Sequence, residues 1–437
     1  MNRRQLMKSA GAAVTAGLPL SQLLQPVKTL AVEAKRVRIQ NIDVFAVQLP
    51  EPTGQAAPPA GAFGAPPNRL VCTRVETEAG IRGYSFVGGS TDTLAEARKV
   101  LVGQDLFQVE QHLKRGLINW SHIEEAIWDA IGKIAGQPVC RLLGGAKTVS
   151  LPVYCTYVWP GGADQSQVTP KDQAAQAVLL KNAGFKAMKI RIFRPNYMDD
   201  VAACEEILAA GGSGFRCMVD RTAGSSGTLW NYPTGLAAAL ALQKAGVYWL
   251  EEPFDRNDFD GPARLAREVD ILVTGGEGYR GLAAYRECVM HGTYDILQPD
   301  CNGVGGILTM RKVGAIAEAW GIPVCPHASS GLALAGRVQA SAALGSMYQE
   351  IGVLTPPQLP NDRITPVMPI LNSNPFTFQN GELLVPQGPG LGLDLNEQAI
   401  NRYKVEGPVT GRGGGGGGRG AGAGRGAGGG RGGRGTP

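Results

Sequence analysis

The chain has 437 residues, 43% of them hydrophobic, which is length for two to three domains and enough apolar content for a full core. Its formal net charge of +5 is carried by the last segment, where Arg412, Arg419, Arg425, Arg431 and Arg434 follow Thr410 without an acid. The body therefore has no basic excess, and nucleic acid is not an expected partner. The eight cysteines include no CxxC pair and no His/Cys cluster of zinc spacing. They lie in apolar runs such as RLVCTRVE and FRCMVD and read as buried thiols, with one or two bridges left open for an oxidising compartment.

The N-terminus, MNRRQLMKSAGAAVTAGLPL, places Arg3 and Arg4 before Leu6, Met7 and Lys8, the pattern of a twin-arginine export signal. Its apolar run is too short and polar to stay in a bilayer. A signal peptide over 1–34, cleaved after Ala34, is expected, with a periplasmic or secreted address and no membrane anchor. From 35 to 150 an α+β domain is expected. VRIQNIDVFAVQLP and NRLVCTRVETEAG alternate as strands do, and a third strand follows at Ile81, Gly83 and Tyr84. The loop from Pro52 to Asn68, rich in Pro, Gly and Ala, is expected to be a lid whose Phe63 offers an apolar contact to substrate. Residues 93–145 turn helical, with Ile123, Ile127, Ile131 and Ile134 at helical spacing.

Between 151 and 365 the pattern becomes strand, helix, strand, helix. The runs LPVYCTYV, KAMKIRIF, FRCMVD, VYWLEE, ILVTGGE, YDILQPD, IPVCPH and GSMYQE are eight strands separated by helical segments, which predicts a (β/α)8-type barrel. From the second onward each strand ends in ionisable residues: Lys189 with Arg191, Asp220, Glu251 with Glu252, Glu277, Asp300, His327 and Glu350. Successive members are 23 to 31 residues apart, one strand-helix unit each, so they should converge on one barrel face. Asp220, Glu251 and Glu277 then face one another from three consecutive strands and would repel or take up protons unless a cation joined them. An all-oxygen set selects a hard ion such as Mg²⁺. Glu252 points the other way by the period of two and is expected to accept a hydrogen bond or contact Lys189. His327, oriented by Asp300, is a candidate general base or acid.

The ordered set GFKAMKIR (184–191), MVD (218–220), WLEEP (249–253), GGE (275–277), QPDCNGVGGI (298–307), IPVCPH (322–327) and YQE (348–350) resembles the enolase superfamily, in its mandelate racemase and acid-sugar dehydratase branch. IEEAIWDAIGKIAGQPVCRLLGG (123–145) matches the segment leading into that barrel. FTFQNGELLVPQGPGLGLDLN (376–396) resembles the strand that returns to the first domain. The resemblance covers about 36–405 and implies a modified (β/α)7β barrel, capped by an α+β domain built from the N-terminal region and a return segment at 366–407. It also implies one Mg²⁺ per subunit on Asp220, Glu251 and Glu277, and a small carboxylate substrate. His327 would take the proton next to the carboxylate through an enediolate. Lys189 would hold the carboxylate, Glu350 would donate to its oxygen, and the enzyme would be a homo-oligomer.

Two departures from the family pattern bear on the reaction. Arg191 stands where the second, basic lysine would be, and an always-protonated guanidinium is no base. That favours dehydration of a sugar acid over racemisation of a 2-hydroxy acid, the alternative enzyme reading. DRTAG at 220–224 puts Thr222 where Asn is common and adds Arg221 as an anion contact, making both, with Glu252 and Phe63, candidate substrate-binding residues. Beyond 408 the chain is nearly all Gly, Ala and Arg, a segment that cannot bury apolar surface. A non-catalytic binding protein on the same scaffold, using that tail as its contact, is the reading of another class.

Overall fold

The alternating runs near the N-terminus form two long antiparallel strands, β1 (Ile39–Gln48) and β2 (Arg69–Thr77), and the predicted third strand follows as β3 (Arg82–Ser85). A computed structural model describes residues 36–50, 69–157, 168–222, 229–327, 329–353, 359–360 and 364–409. The export signal, the lid with Phe63 and the Gly/Arg tail from 410 lie outside the described residues. All of the described elements belong to one unit that begins at Arg38.

The isoleucine-spaced segment is a helix over Ser121–Ala135 that packs across β2 and β3. It ends at Gly136, whose φ of 63° is the left-handed conformation that stops helices. Its acids are buried but satisfied: Asp129 accepts from the Tyr84 amide, Glu125 from the Ser85 hydroxyl, and Glu124 from the amides of Ile307 and Leu308.

The alternating region forms a parallel sheet in the order β4 (Ser150–Tyr157), β5 (Ala187–Arg191), β6 (Arg216–Asp220), β7 (Trp249–Glu251), β8 (Leu272–Gly275) and β9 (Ile296–Leu297). The last barrel strand, β10 (Gln349–Val353), pairs in parallel with β4, so the sheet curls back on its first member. Crossover helices begin where capping residues allow. Thr169 and Asp172 form a reciprocal capping box before Pro170–Asn182, and Asn196 and Asn231 cap Tyr197–Gly211 and Tyr232–Ala245.

The seventh predicted strand, IPVCPH, does not form a continuous ladder. It touches β9 through a bridge between Val324 and Leu297, and β10 is reached through a bridge between Ser329 and Ile351. Pro323 and Pro326 supply no amide hydrogen, so the run cannot donate at every position. Cys325 and His327 still donate to the carbonyls of Leu297 and Pro299, which fixes the backbone that carries His327.

The return path also differs from the expectation. FTFQNGELL makes an antiparallel hairpin, β11 (Thr377–Gln379) and β12 (Glu382–Leu384), and β12 pairs with β4 rather than with the first sheet. The first sheet is reached later, by β13 (Lys404–Val405) alongside β1. Between them Gly390 lies against the helix Ser121–Ala135, where a Cβ on Gly132 would fall 2.5 Å from the Gly390 Cα. All eight cysteines are free and buried. Among the described residues no helix is long and apolar enough to cross a membrane.

Candidate active site

The strand register brings the predicted residues to one end of the barrel. Arg191 is paired with Asp220, and Asp220 with Glu251, across adjacent parallel strands. Beneath them the interior is closed by Trp249 and Tyr154, packed edge to face at 5.1 Å. The charges above therefore stand on an apolar floor.

Lys189 is fully buried and is the hub of the site. Its Nζ lies 2.7 Å from Glu251 Oε2, 2.8 Å from Glu350 Oε1 and 3.6 Å from Asp220 Oδ2. Burial works against its charge, yet Glu251, Glu350 and Asp220 outweigh that and hold its pKa well above the usual value. Glu350 is thus an ion-pair partner of Lys189 here. Donation to a substrate oxygen would require it to carry a proton and release the lysine.

Arg191 donates to Asp220 Oδ2 at 2.8 Å and also reaches Thr222 Oγ1. Thr222, at a φ of 52°, turns back so that its amide and hydroxyl both donate to Asp220 Oδ1, at 2.6 and 2.7 Å. It orients the Asp220 carboxylate. Arg221, expected at the substrate, is buried with its guanidinium 4.8 Å from the Trp230 ring centroid and one nitrogen donating to the Ile192 carbonyl. Glu252 makes the hydrogen bond expected of it, but not the contact with Lys189. It is held by Arg256, which donates to both of its oxygens.

His327 sits between two carboxylates. Nδ1 is 3.0 Å from Asp300 Oδ2, and Nε2 is 2.9 Å from Glu277 Oε2. Burial lowers the proton affinity of the ring, but Glu277 and Asp300 outweigh it and hold His327 well above its usual pKa. Glu277 is pushed up by burial and pulled further down by His327, Arg256 and Arg191, ending well below the usual carboxylate range. Asp300 is clamped by three donors: the ring, Arg337 Nη2 at 2.9 Å and the Gly303 amide at 2.7 Å.

Three members of the site do not follow from the motifs above. Gln298 donates to Glu251 Oε2 at 2.9 Å. It lies two residues before Asp300 on the same strand end, so the period of two could have found it. Arg337 is a lone charge in the wholly buried helix Leu334–Leu344, which marks it as paired. Arg256 lies in the turn after Pro253, where no periodicity points to it.

As the side chains stand, among the described residues no three His, Cys, Asp or Glu groups are gathered closely enough to hold a metal ion. Lys189, Arg191 and Arg256 each occupy one of the candidate carboxylates instead. The residues nevertheless fit a hard divalent cation. Glu251 Oε1 and Gln298 Oε1 are buried oxygens with no hydrogen bond, and Glu277 Oε2 has only its ionic contact with the His327 ring. Asp220, Glu251, Glu252, Glu277, Asp300 and Glu350 bring six negative charges against the four permanent cations Lys189, Arg191, Arg256 and Arg337. Two negative charges remain, and two of the acids hold protons more tightly than usual. Burial and Asp220 push Glu251 well up, and burial and Glu277 push Glu252 to about 8.

Comparison with known proteins identifies the family to which this fold belongs. A family model described as enolase C-terminal domain-like matches residues 171–399. The chain is 27% identical over 359 residues to the arabinonate dehydratase of Saccharolobus solfataricus, covering 77% of this chain and 91% of that one. It is 29% identical to the D-galactarolactone cycloisomerase of Agrobacterium fabrum, with 70% and 83% covered. Among solved structures, the L-talarate dehydratase of Polaromonas sp. JS666, complexed with Mg and L-glucarate, has the same fold, with a TM-score of 0.66 at 24% identity over 85% of this chain and 98% of that one. The matched family segment spans more than half of the sequence, and the chain belongs to the enolase superfamily, in the branch that holds the acid-sugar dehydratases.

Proposed function

We propose that this enzyme is a Mg²⁺-dependent hydro-lyase that removes water from a sugar acid or related hydroxy acid. The observation that carries the reading is the Asp300–His327 pair, whose Nε2 faces the Lys189, Glu251, Glu277 and Glu350 cluster at the barrel end. The relatives named above, dehydratase and cycloisomerase of sugar acids, support the substrate class.

Asp220, Glu251 and Glu277 are the residues that would hold the ion. With a divalent cation there, the charge developing on the substrate carboxylate is offset, and Glu277 no longer holds the ring protonated. Lys189 supplies a fixed positive charge for the substrate carboxylate, and the Trp249 and Tyr154 floor keeps water out from below. His327 Nε2 then takes the proton next to the carboxylate, while Asp300 holds Nδ1 and favours the imidazolium that forms. The same Nε2 proton passes to the hydroxyl on the next carbon as its C–O bond breaks. Water and an enol leave, and the enol becomes an α-keto acid. Arg191, ion-paired with Asp220, offers no base for the opposite face, which disfavours a two-base racemase.

His327→Asn leaves a polar side chain on the same backbone but removes the proton carrier. Turnover should fall by about 10²- to 10⁴-fold. A variant with wild-type turnover would remove His327 from the reaction. Loss of turnover alongside unchanged substrate binding in calorimetry would separate catalysis from a binding role.

A further inference from the structure

Arg256 is built into the site by four features the proposed reaction does not use. Its Nε lies 2.9 Å from both oxygens of Glu252, and its Nη2 lies 2.6 Å from Glu252 Oε2 and donates onward to Glu277 Oε1. Glu252, which anchors it, has a φ of 45°, a backbone conformation that L residues rarely adopt. Gly278 leaves room for the arginine, since a Cβ there would lie 2.7 Å from Arg256 Cδ and 2.9 Å from Nη1. The Tyr279 hydroxyl donates to the Arg256 carbonyl at 2.7 Å, fixing the backbone as well. Pairing of both Glu252 oxygens with one arginine makes that carboxylate an anchor. Glu277 is left with one oxygen pinned and the other, Oε2, buried and facing the His327 ring.

We propose that Arg256 is a positioning residue that pins Glu277 Oε1 through its anchor on Glu252, so that Oε2 alone is presented to the divalent ion. This rests on the metal reading given above. A guanidinium can serve this purpose because its planar fork reaches two carboxylates at once, which a lysine ammonium does only as a point charge. Outer partners of this kind set the orientation of a ligand, and their loss weakens metal affinity by about 10- to 100-fold. The opposite role is an internal cation competing with the ion for Glu277, and it predicts the opposite sign.

The test is a Mn²⁺ titration of the full-length, chelator-treated protein, followed by the free-ion electron paramagnetic resonance signal. Wild type, Arg256→Met, Arg256→Lys and Glu252→Gln are compared, with circular dichroism as the check on folding. Wild type is expected to bind Mn²⁺, and Arg256→Met to bind about 10- to 100-fold more weakly. Arg256→Lys should recover part of the loss, and Glu252→Gln, which leaves the arginine one accepting oxygen instead of two and no charge to pair with, should fall between. If Arg256→Met does not fold, the graded weakening in the other two variants carries the test. Equal or tighter Mn²⁺ binding in the variants overturns the positioning role. Absence of Mn²⁺ binding by wild type overturns the metal reading itself, and this proposal with it.

Discussion

At the scale of single residues, the site is a balance between burial and pairing. His327 and Lys189 keep their protons in a dry interior only because carboxylates stand within 3 Å of each. The same balance holds away from the chemistry. Glu125 is buried beside Arg337, and burial pushes its pKa up from 4.5 to about 7, with the Ser85 hydroxyl and Arg337 opposing. An acid with a raised pKa stabilises the fold fully below 4.5 and loses that contribution as pH rises through about 7. Each pH step of one between those two values costs about 1.4 kcal/mol, so relative to Glu125→Gln the wild type should lose up to about 3 kcal/mol across the window. Urea denaturation of both proteins at pH 4.5, 6 and 8 reads the difference. Parallel profiles would show that Glu125 titrates alike in the folded and unfolded chains.

The strand-end acids are legible in the sequence because a strand-helix unit repeats at nearly constant length, so spacing alone assigns them to one face. What holds them is not. Arg256 comes from a turn, and its partners are set by the left-handed backbone at Glu252, which no spacing rule reveals. Thr222 orients Asp220 and Arg221 stacks near Trp230, contacts that the spacing does not reveal because side-chain direction after a strand end depends on the turn.

At the scale of elements, the helix and strand pattern carries most of the fold, and proline and glycine explain where it does not. IPVCPH has the apolar character of a strand, but its prolines reduce it to bridges. The return segment has the pattern of one strand to the first sheet, whereas Asn380 and Gly381, both at positive φ, turn it into a hairpin on β4. Close approach between Gly132 and Gly390 then lets the descending chain lie on the helix Ser121–Ala135. Gly132→Ala tests that contact. Helix propensity alone would favour alanine by about 1 kcal/mol. The added Cβ would meet the Gly390 backbone nitrogen at 2.6 Å, with no flexible side chain to move aside. Overpacking costs about 1–3 kcal/mol, so net destabilisation is expected in chemical denaturation. A stabilised variant would show that the two backbones separate at little cost.

At the scale of the whole molecule, the barrel gathers charges from seven strand ends, joined by Arg256 from a turn and Arg337 from a helix, and with His327 neutral their sum is two positive charges short of neutral. That deficit ties the fold to the proposed chemistry, since a divalent ion would close it and a carboxylate substrate would then find fixed positive charge. The decisive measurement is α-keto acid release from a panel of sugar acids, made on chelator-treated protein with and without added Mg²⁺. The account predicts that at least one acid is dehydrated, that chelation stops the reaction and that Mg²⁺ restores it. Product formed equally well without the metal, or exchange of the α-hydrogen with solvent deuterium and no keto acid, would contradict it.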